Sequence, residues 1–249
     1  VADIKAFVAE RLARDNLVIG VVGDITPKEL AVTVETVFGK LPAKAKPWAV
    51  PPVEPKDAAR TIVVEKAVPQ SAIVFAEKGP LRRDADFYAA YVMNYILGGG
   101  GFTSRLYDAI REKRGLAYDV HSSLQPFDAA ALITGSAGTA NARVAETLQL
   151  LRQEWARLAD NGVTGNELSD AKTYLTGSYP LRFTSSDRIA GMMVGLQLEN
   201  LGIDYPDRRN ALIEKVTLAD VNRLAKQYLK ADKLTVVIVG NPTGVKSSP

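Results

Sequence analysis

Ile4, Phe7, Val8 and Leu12 recur with helical spacing at the front of the chain, and the apolar run Leu17 to Val22 that follows has the length of a buried strand. The chain therefore reads as beginning inside a folded element. The same grammar returns near the end, where an amphipathic helix over Leu218 to Leu229 precedes a strand over Leu234 to Val239. Placed at an offset of 220 − 3 = 217, the two segments share Asp3/Asp220, Leu12/Leu229, Asp15/Asp232, Leu17/Leu234, Gly23/Gly240 and Thr26/Thr243. Six identities are too few to separate common descent from shared helix-strand grammar, but the apolar pattern matches along the whole stretch.

This repeat predicts that residues 1–41 are the tail of a first repeat domain and 59–249 a complete second one. Between them, 42–58 contains Pro42, Pro47, Pro51, Pro52 and Pro55, which suits a semi-extended linker. Thr26, Pro27 and Glu29 mark a helix start by capping box and first-turn proline, with the helix running to about Lys40. Strands are expected at Thr61 to Glu65 and Ser71 to Ala76, then a strongly apolar helix from about Asp84 to Leu97. After Gly98-Gly99-Gly100-Gly101 comes a short helix ending at Gly115. Two strands follow, Ala117 to Leu124 and Ala129 to Thr139, around the turn Gln125-Pro126-Phe127-Asp128. Helices dominate from Ala142 to Leu229, with a break at Tyr179-Pro180 and a second capping box at Thr164 and Glu167. Strands, a block of helices and one returning strand describe an α+β fold, a mostly antiparallel sheet covered by helices.

Composition narrows the function classes. Among 249 residues, 47% are apolar and 24% charged, ordinary values for a folded water-soluble protein. The net charge of +3 is scattered, giving no basic stripe for nucleic acid, and no apolar run is long enough to cross a bilayer. There is no cysteine and one histidine, His121, so a metal site within this chain is expected to be absent.

The chemistry-bearing stretch is Leu97 to Val120. A phosphate loop is excluded, because Gly101 is followed by Phe102-Thr103-Ser104 rather than Lys-Ser/Thr, and the run follows a helix. Two readings of the glycines stand: a helix end and turn with Thr103 or Ser104 capping the next helix, or a loop that also admits a peptide backbone. Arg111, Lys113 and Arg114 occupy the last turn of the short helix, where the dipole alone favours cations. Strand alternation puts Tyr118 with Val120, Ser122 and Leu124, and His121 on the opposite face, as a surface or sheet-edge residue. No Gly-x-Ser-x-Gly elbow accompanies that histidine.

The run Leu-Gly-Gly-Gly-Gly-Phe-Thr-Ser-Arg-Leu-Tyr-Asp-Ala-Ile-Arg-Glu-Lys-Arg-Gly-Leu-Ala-Tyr-Asp-Val resembles the insulinase/pitrilysin family of zinc peptidases, which includes the mitochondrial processing peptidase. The resemblance implies two similar α+β domains joined by a linker, of which this chain holds the second. The family's zinc motif, H-x-x-E-H, belongs to a first-repeat domain and does not occur here. The resemblance therefore implies a chain inactive by itself, with zinc on a homologous partner subunit or a missing domain, and a peptide as substrate. The family's Arg-x6-Tyr pair, which faces the zinc, falls on Arg111 and Tyr118, with Gly99, Gly100, Gly101 and Phe102 bordering the same cavity. Two alternatives accompany this reading: a non-catalytic peptide-binding or scaffold subunit, and the C-terminal part of a complete zinc peptidase. A periplasmic setting is implied by the resemblance only.

Overall fold

The computed structural model describes residues 1–56 and 58–248; position 57, in the expected linker, and position 249 lie outside the described residues. The chain forms two compact units, one from Val1–Val50 with Gly177–Arg209, the other from Pro51–Thr176 with the residues from Asn210 on.

The larger unit is built on a five-stranded sheet of β1 (Thr61–Glu65), β2 (Gln70–Lys78), β3 (Ala117–Pro126), β4 (Ala131–Ala140) and β5 (Thr235–Gly240), in the order β1-β5-β2-β4-β3. Only β1 and β5 run parallel; the other three pairings are antiparallel, and the fold is α+β as the pattern predicts. Alternation along β2 buries Ser71, Ile73, Phe75 and Glu77 on one face. Against that face pack α3 (Phe87–Asn94), α5 (Val144–Asn161) and α9 (Leu218–Tyr228). Phe75 meets Trp155 edge-on at 5.6 Å, and the Trp155 indole N–H donates to the buried Glu77 carboxylate at 2.6 Å. The Lys230 amide donates to the other Glu77 oxygen at 3.1 Å, so this buried carboxylate is held by hydrogen bonds at both oxygens. Gly135 on β4 lets the Phe75 ring lie flat on the strand: a Cβ there would sit 2.1 Å from the ring.

The capping boxes form as expected. Thr26 and Glu29 open α2 (Pro27–Phe38), and Thr164 and Glu167 exchange hydrogen bonds at the start of α6 (Gly165–Gly177). A third box, Thr217 with Asp220, opens α9. The other helices are α1 (Ala2–Arg11), α4 (Arg105–Tyr107), α7 (Ser186–Leu198) and α8 (Tyr205–Glu214).

The smaller unit corrects one expectation. Leu17 to Val22 forms no helix and joins no ladder among the described residues. Its neighbour is a helix: a Cβ on Gly20 would lie 2.5 Å from the Ala190 carbonyl of α7, and a strand needs another strand to exchange hydrogen bonds with. The apolar stripe of α1, Ile4, Phe7, Val8 and Leu12, is exposed. Residues 41–56 carry no helix or strand; they are pinned by the Arg14 amide to Pro42, the Lys46 amide to Glu10, and the Val53 amide to Ala129.

Candidate functional site

The glycine run is the tail of α3. There the helix widens by one residue per turn, and the Gly100 amide reaches back five residues to the Tyr95 carbonyl at 2.8 Å. The widening brings the helix end against edge strand β3. The buried Asn94 side chain donates to the Ser122 carbonyl at 3.2 Å and accepts from the Ser122 hydroxyl at 2.8 Å. Gly98 is required by this approach, since a Cβ would lie 2.5 Å from the Ser122 hydroxyl and 2.7 Å from its backbone nitrogen. Gly99 and Gly100 pack on Asn94 and Tyr95, while Gly101, at φ +56°, has open space around it.

Ser104 takes the N-cap position of α4, as one of the two readings of the glycine run expects, but neither its hydroxyl nor that of Thr103 caps the helix. The Thr103 and Ser104 hydroxyls turn back onto the Gly100 and Gly101 carbonyls at 3.0 and 2.7 Å, because the tight turn leaves those acceptors within reach. The helix that follows closes at Gly115 as expected, through the Gly115 amide to the Arg111 carbonyl at 2.8 Å, but it is not α-helical throughout. α4 gives way to a second widened turn over Asp108–Glu112, in which the Lys113 amide bonds the Asp108 carbonyl at 2.9 Å. Arg105 anchors its start: Nε and Nη2 donate to the two Glu167 oxygens at 2.7 and 2.8 Å, and Nη2 also reaches the Gly162 carbonyl. This bidentate guanidinium holds the Glu167 carboxyl down at about 2.

Arg111 projects from the second widened turn into a nest of aromatic rings. Its guanidinium carbon lies 4.7 Å from the Tyr107 ring centre, 5.0 Å from Tyr118 and 5.7 Å from Phe102, and it donates to the Tyr107 hydroxyl. Arg111, Tyr118 and Phe102 are therefore brought together. Gly115, at φ +58°, ends the turn, and the Thr139 hydroxyl fixes the emerging chain through the Leu116 carbonyl at 2.6 Å.

Tyr118 does not follow the alternation expected of β3. Ala117 pairs with Thr139 and Val120 with Ala137, so three steps on β3 oppose two on β4. This bulge exposes both Tyr118 and Asp119 and leaves Val120 and Ser122 buried. Tyr118 is 83% exposed, and among the described residues its hydroxyl has no hydrogen-bond partner. His121 is exposed on the edge strand with Nδ1 3.0 Å from Asp119 and Nε2 3.5 Å from the Ser136 hydroxyl.

Arg111 and Tyr118 line one cavity of about 490 Å³ with Gln70, Glu112, Thr139 and Arg143. The last of these was not visible as a site residue in the sequence. Arg143 follows β4 in a single tight turn before α5, and only the sheet order brings it to Arg111.

The family model for the peptidase M16 inactive domain matches residues 1–175. This chain belongs to that family. An uncharacterized zinc protease of Streptomyces coelicolor is 28% identical to the M16 chain over 244 residues, covering 91% of this chain and 52% of the relative. The non-peptidase homolog YmxG of Helicobacter pylori is 26% identical over 240 residues, covering 96% and 55%. A crystal structure of a peptidase M16 inactive domain from Pseudomonas fluorescens superposes with a TM-score of 0.84 at 32% identity, covering all of this chain and 58% of the other. The M16 chain thus spans about half the length of the curated relatives it matches.

Zinc, which the relatives' names imply, does not fit the residues of this M16 domain. Only Asp119 stands beside the single histidine, and among the described residues no three His, Cys, Asp or Glu side chains converge. Likewise no described helix is long and apolar enough to cross a membrane.

Proposed function

We propose that this domain is the non-zinc part of an M16 peptidase and presents Arg111 and Tyr118 to a zinc site carried by H-x-x-E-H on a homologous subunit or domain. In this reading, 1–41 close a first repeat, 42–58 link, and 59–249 form the second repeat. The observation that carries it is the stacking of Arg111 over the ring of the exposed Tyr118, whose hydroxyl is unengaged, at one cavity. The zinc of the partner would supply an activated water. This chain supplies binding and charge stabilisation. As a peptide carbonyl is attacked, charge grows on its oxygen, and a phenol aimed there donates a hydrogen bond that strengthens in the transition state. Arg111, anchored on Tyr107 and stacked against Tyr118, fixes the phenol ring and offers its remaining N–H groups to a peptide carbonyl. Phe102, whose ring lies 5.7 Å from the Arg111 guanidinium, and the open side of Gly101 stand beside the cavity and not in its wall, with Gly99 and Gly100 holding that loop on Asn94 and Tyr95.

The test is to mix the purified full-length protein with an H-x-x-E-H homologue and follow zinc-dependent peptide cleavage. Tyr118→Phe should lower kcat by about 10²-fold or more, the scale for loss of one oxyanion donor, with KM little changed. Unchanged kcat in the mutant overturns the proposal. The name of the Helicobacter pylori relative supports a second reading, a peptide-binding or scaffold subunit without catalysis. Under it the mixture gains no activity while peptide still binds.

A further inference from the structure

We propose that Arg143 makes the Arg111–Tyr118 cavity selective for a carboxylate-bearing segment of peptide, either an acidic side chain or a free C-terminus. The inference rests on the peptide-handling reading of this cavity and adds the class of substrate that it selects.

Charge is unevenly balanced around this cavity. Four cations cluster here. The two that lie outside the cavity are neutralised: Lys113 pairs with Asp108 at 2.6 Å and Arg114 with Glu146 at 3.2 Å. The two that line the cavity are not. Arg111 is engaged by aromatic rings and a phenol, and Arg143 has no acidic partner among the described residues. Against these two cations the cavity wall sets one acid, Glu112. A second cavity of the same unit, about 430 Å³, differs: its wall mixes Lys78, Arg83, Lys230 and Lys233 with Glu54, Glu77 and Asp84, and Lys78 is paired with Glu54 at 2.5 Å.

Arg143 is also placed where its own chain does not favour it. It is the residue immediately before α5, an 18-residue helix, and the partial positive charge of a helix N-terminus repels a cation. A carboxylate entering the cavity would face both guanidinium groups that line it and would offset the repulsion between Arg143 and the helix end. It would also meet a planar fork of donors suited to bidentate binding. A volume near 490 Å³ accommodates a few peptide residues rather than a folded partner.

The experiment measures binding, by fluorescence anisotropy, of labelled ten-residue peptides to the full-length protein. Four probes share a neutral sequence: free C-terminus, amidated C-terminus, amidated with one internal Asp, and amidated with Asn at that position. Carboxylate-bearing probes should bind about tenfold more tightly than their neutral counterparts, the scale of one charge-assisted pair. Arg143→Gln should abolish that preference, Arg143→Lys should keep part of it, and Lys113→Gln should leave it intact. Preference for the free terminus alone identifies the terminal carboxylate; preference for Asp alone identifies the side chain. Equal binding of all four probes overturns the proposal, as does an equal loss in Lys113→Gln, which would mean diffuse electrostatics. Cleavage is not the readout. A protein that discriminates the probes but activates no zinc-bearing homologue therefore overturns the catalytic reading and leaves this one standing, and activation without discrimination does the reverse.

Discussion

The glycine loop and the Arg111–Tyr118 pair are separated by one short turn, yet their surroundings are opposite. The loop is occupied by its own chain: Gly98 touches Ser122, Gly99 and Gly100 touch Asn94 and Tyr95, and the Gly100 and Gly101 carbonyls accept from Thr103 and Ser104. The pair is open, with Tyr118 displayed by a bulge and Arg111 held by rings rather than by a carboxylate. A single stretch of sequence thus contains a part that builds the fold and a part free to act on something else. The two should separate when mutated. The largest effect is that of Tyr118→Phe on turnover, described above, and it should come with a stability change within about 0.5 kcal/mol, as for an exposed side chain. A fall in Tm comparable to that of a core mutation would erase the distinction.

Gly98→Ala should show the converse. The added methyl meets the Ser122 backbone nitrogen at 2.7 Å and Leu106 at 2.9 Å, and backbone does not yield as a side-chain tip does. Destabilisation in the upper part of the usual overpacking range, about 1–3 kcal/mol, is expected by urea unfolding. The methyl would also displace the Ser122 hydroxyl, 2.5 Å away, and break the hydrogen bond that it donates to Asn94.

The ion pair that anchors the turn between these two regions gives a pH-dependent effect of intermediate size. Glu167 has its carboxyl lowered from 4.5 to about 2 by Arg105, so the folded state holds the proton less tightly than the unfolded one. Its stabilisation is complete above about pH 4.5 and is lost as pH falls through about 2. Allowing for the partial exposure of Glu167, the contribution is about 1–2 kcal/mol. Glu167→Gln should reproduce the acid-side loss at pH 7 and flatten the stability profile between pH 5 and pH 2, which are the readings to compare in the two proteins. A mutant as acid-sensitive as the wild type would assign the loss to other carboxylates.

Local rules explain how much of this was legible in the sequence. Thr26 with Glu29 and Thr164 with Glu167 announce helix starts because a cap is a contact between residues three apart, and the hairpin of β3 and β4 follows from alternation around a turn. The spacing of Arg111 and Tyr118 was visible too, although periodicity assigned Tyr118 to the face of Val120, Ser122 and Leu124. That error has a definite source: one extra residue in the ladder at Ala117 to Val120 reverses every face before it, and no side-chain pattern marks it. The widened turns after Asn94 and Tyr107 escape for the same reason. Leu17 to Val22 has strand composition, but a strand is a relation between two segments, and here the neighbour is a helix. Arg143 reaches the cavity through the order β2-β4-β3, a property of the whole sheet.

The smallest effect sharpens the comparison most, because it falls where the two regions meet. Gly101 combines φ +56° with open space, so Gly101→Ala adds backbone strain and no clash, costing about 1 kcal/mol. Gly101→Asn should recover part of this, since asparagine tolerates the left-handed conformation. If a peptide backbone approaches the open side of this residue, both variants place a side chain in its way, and affinity should fall in both by a similar factor while stability differs between them. Affinity untouched in both would confine the loop to its structural part and leave Arg111, Tyr118 and Arg143 as the whole of the open one. Stability from unfolding and affinity from anisotropy, measured on the same two variants, decide between those outcomes.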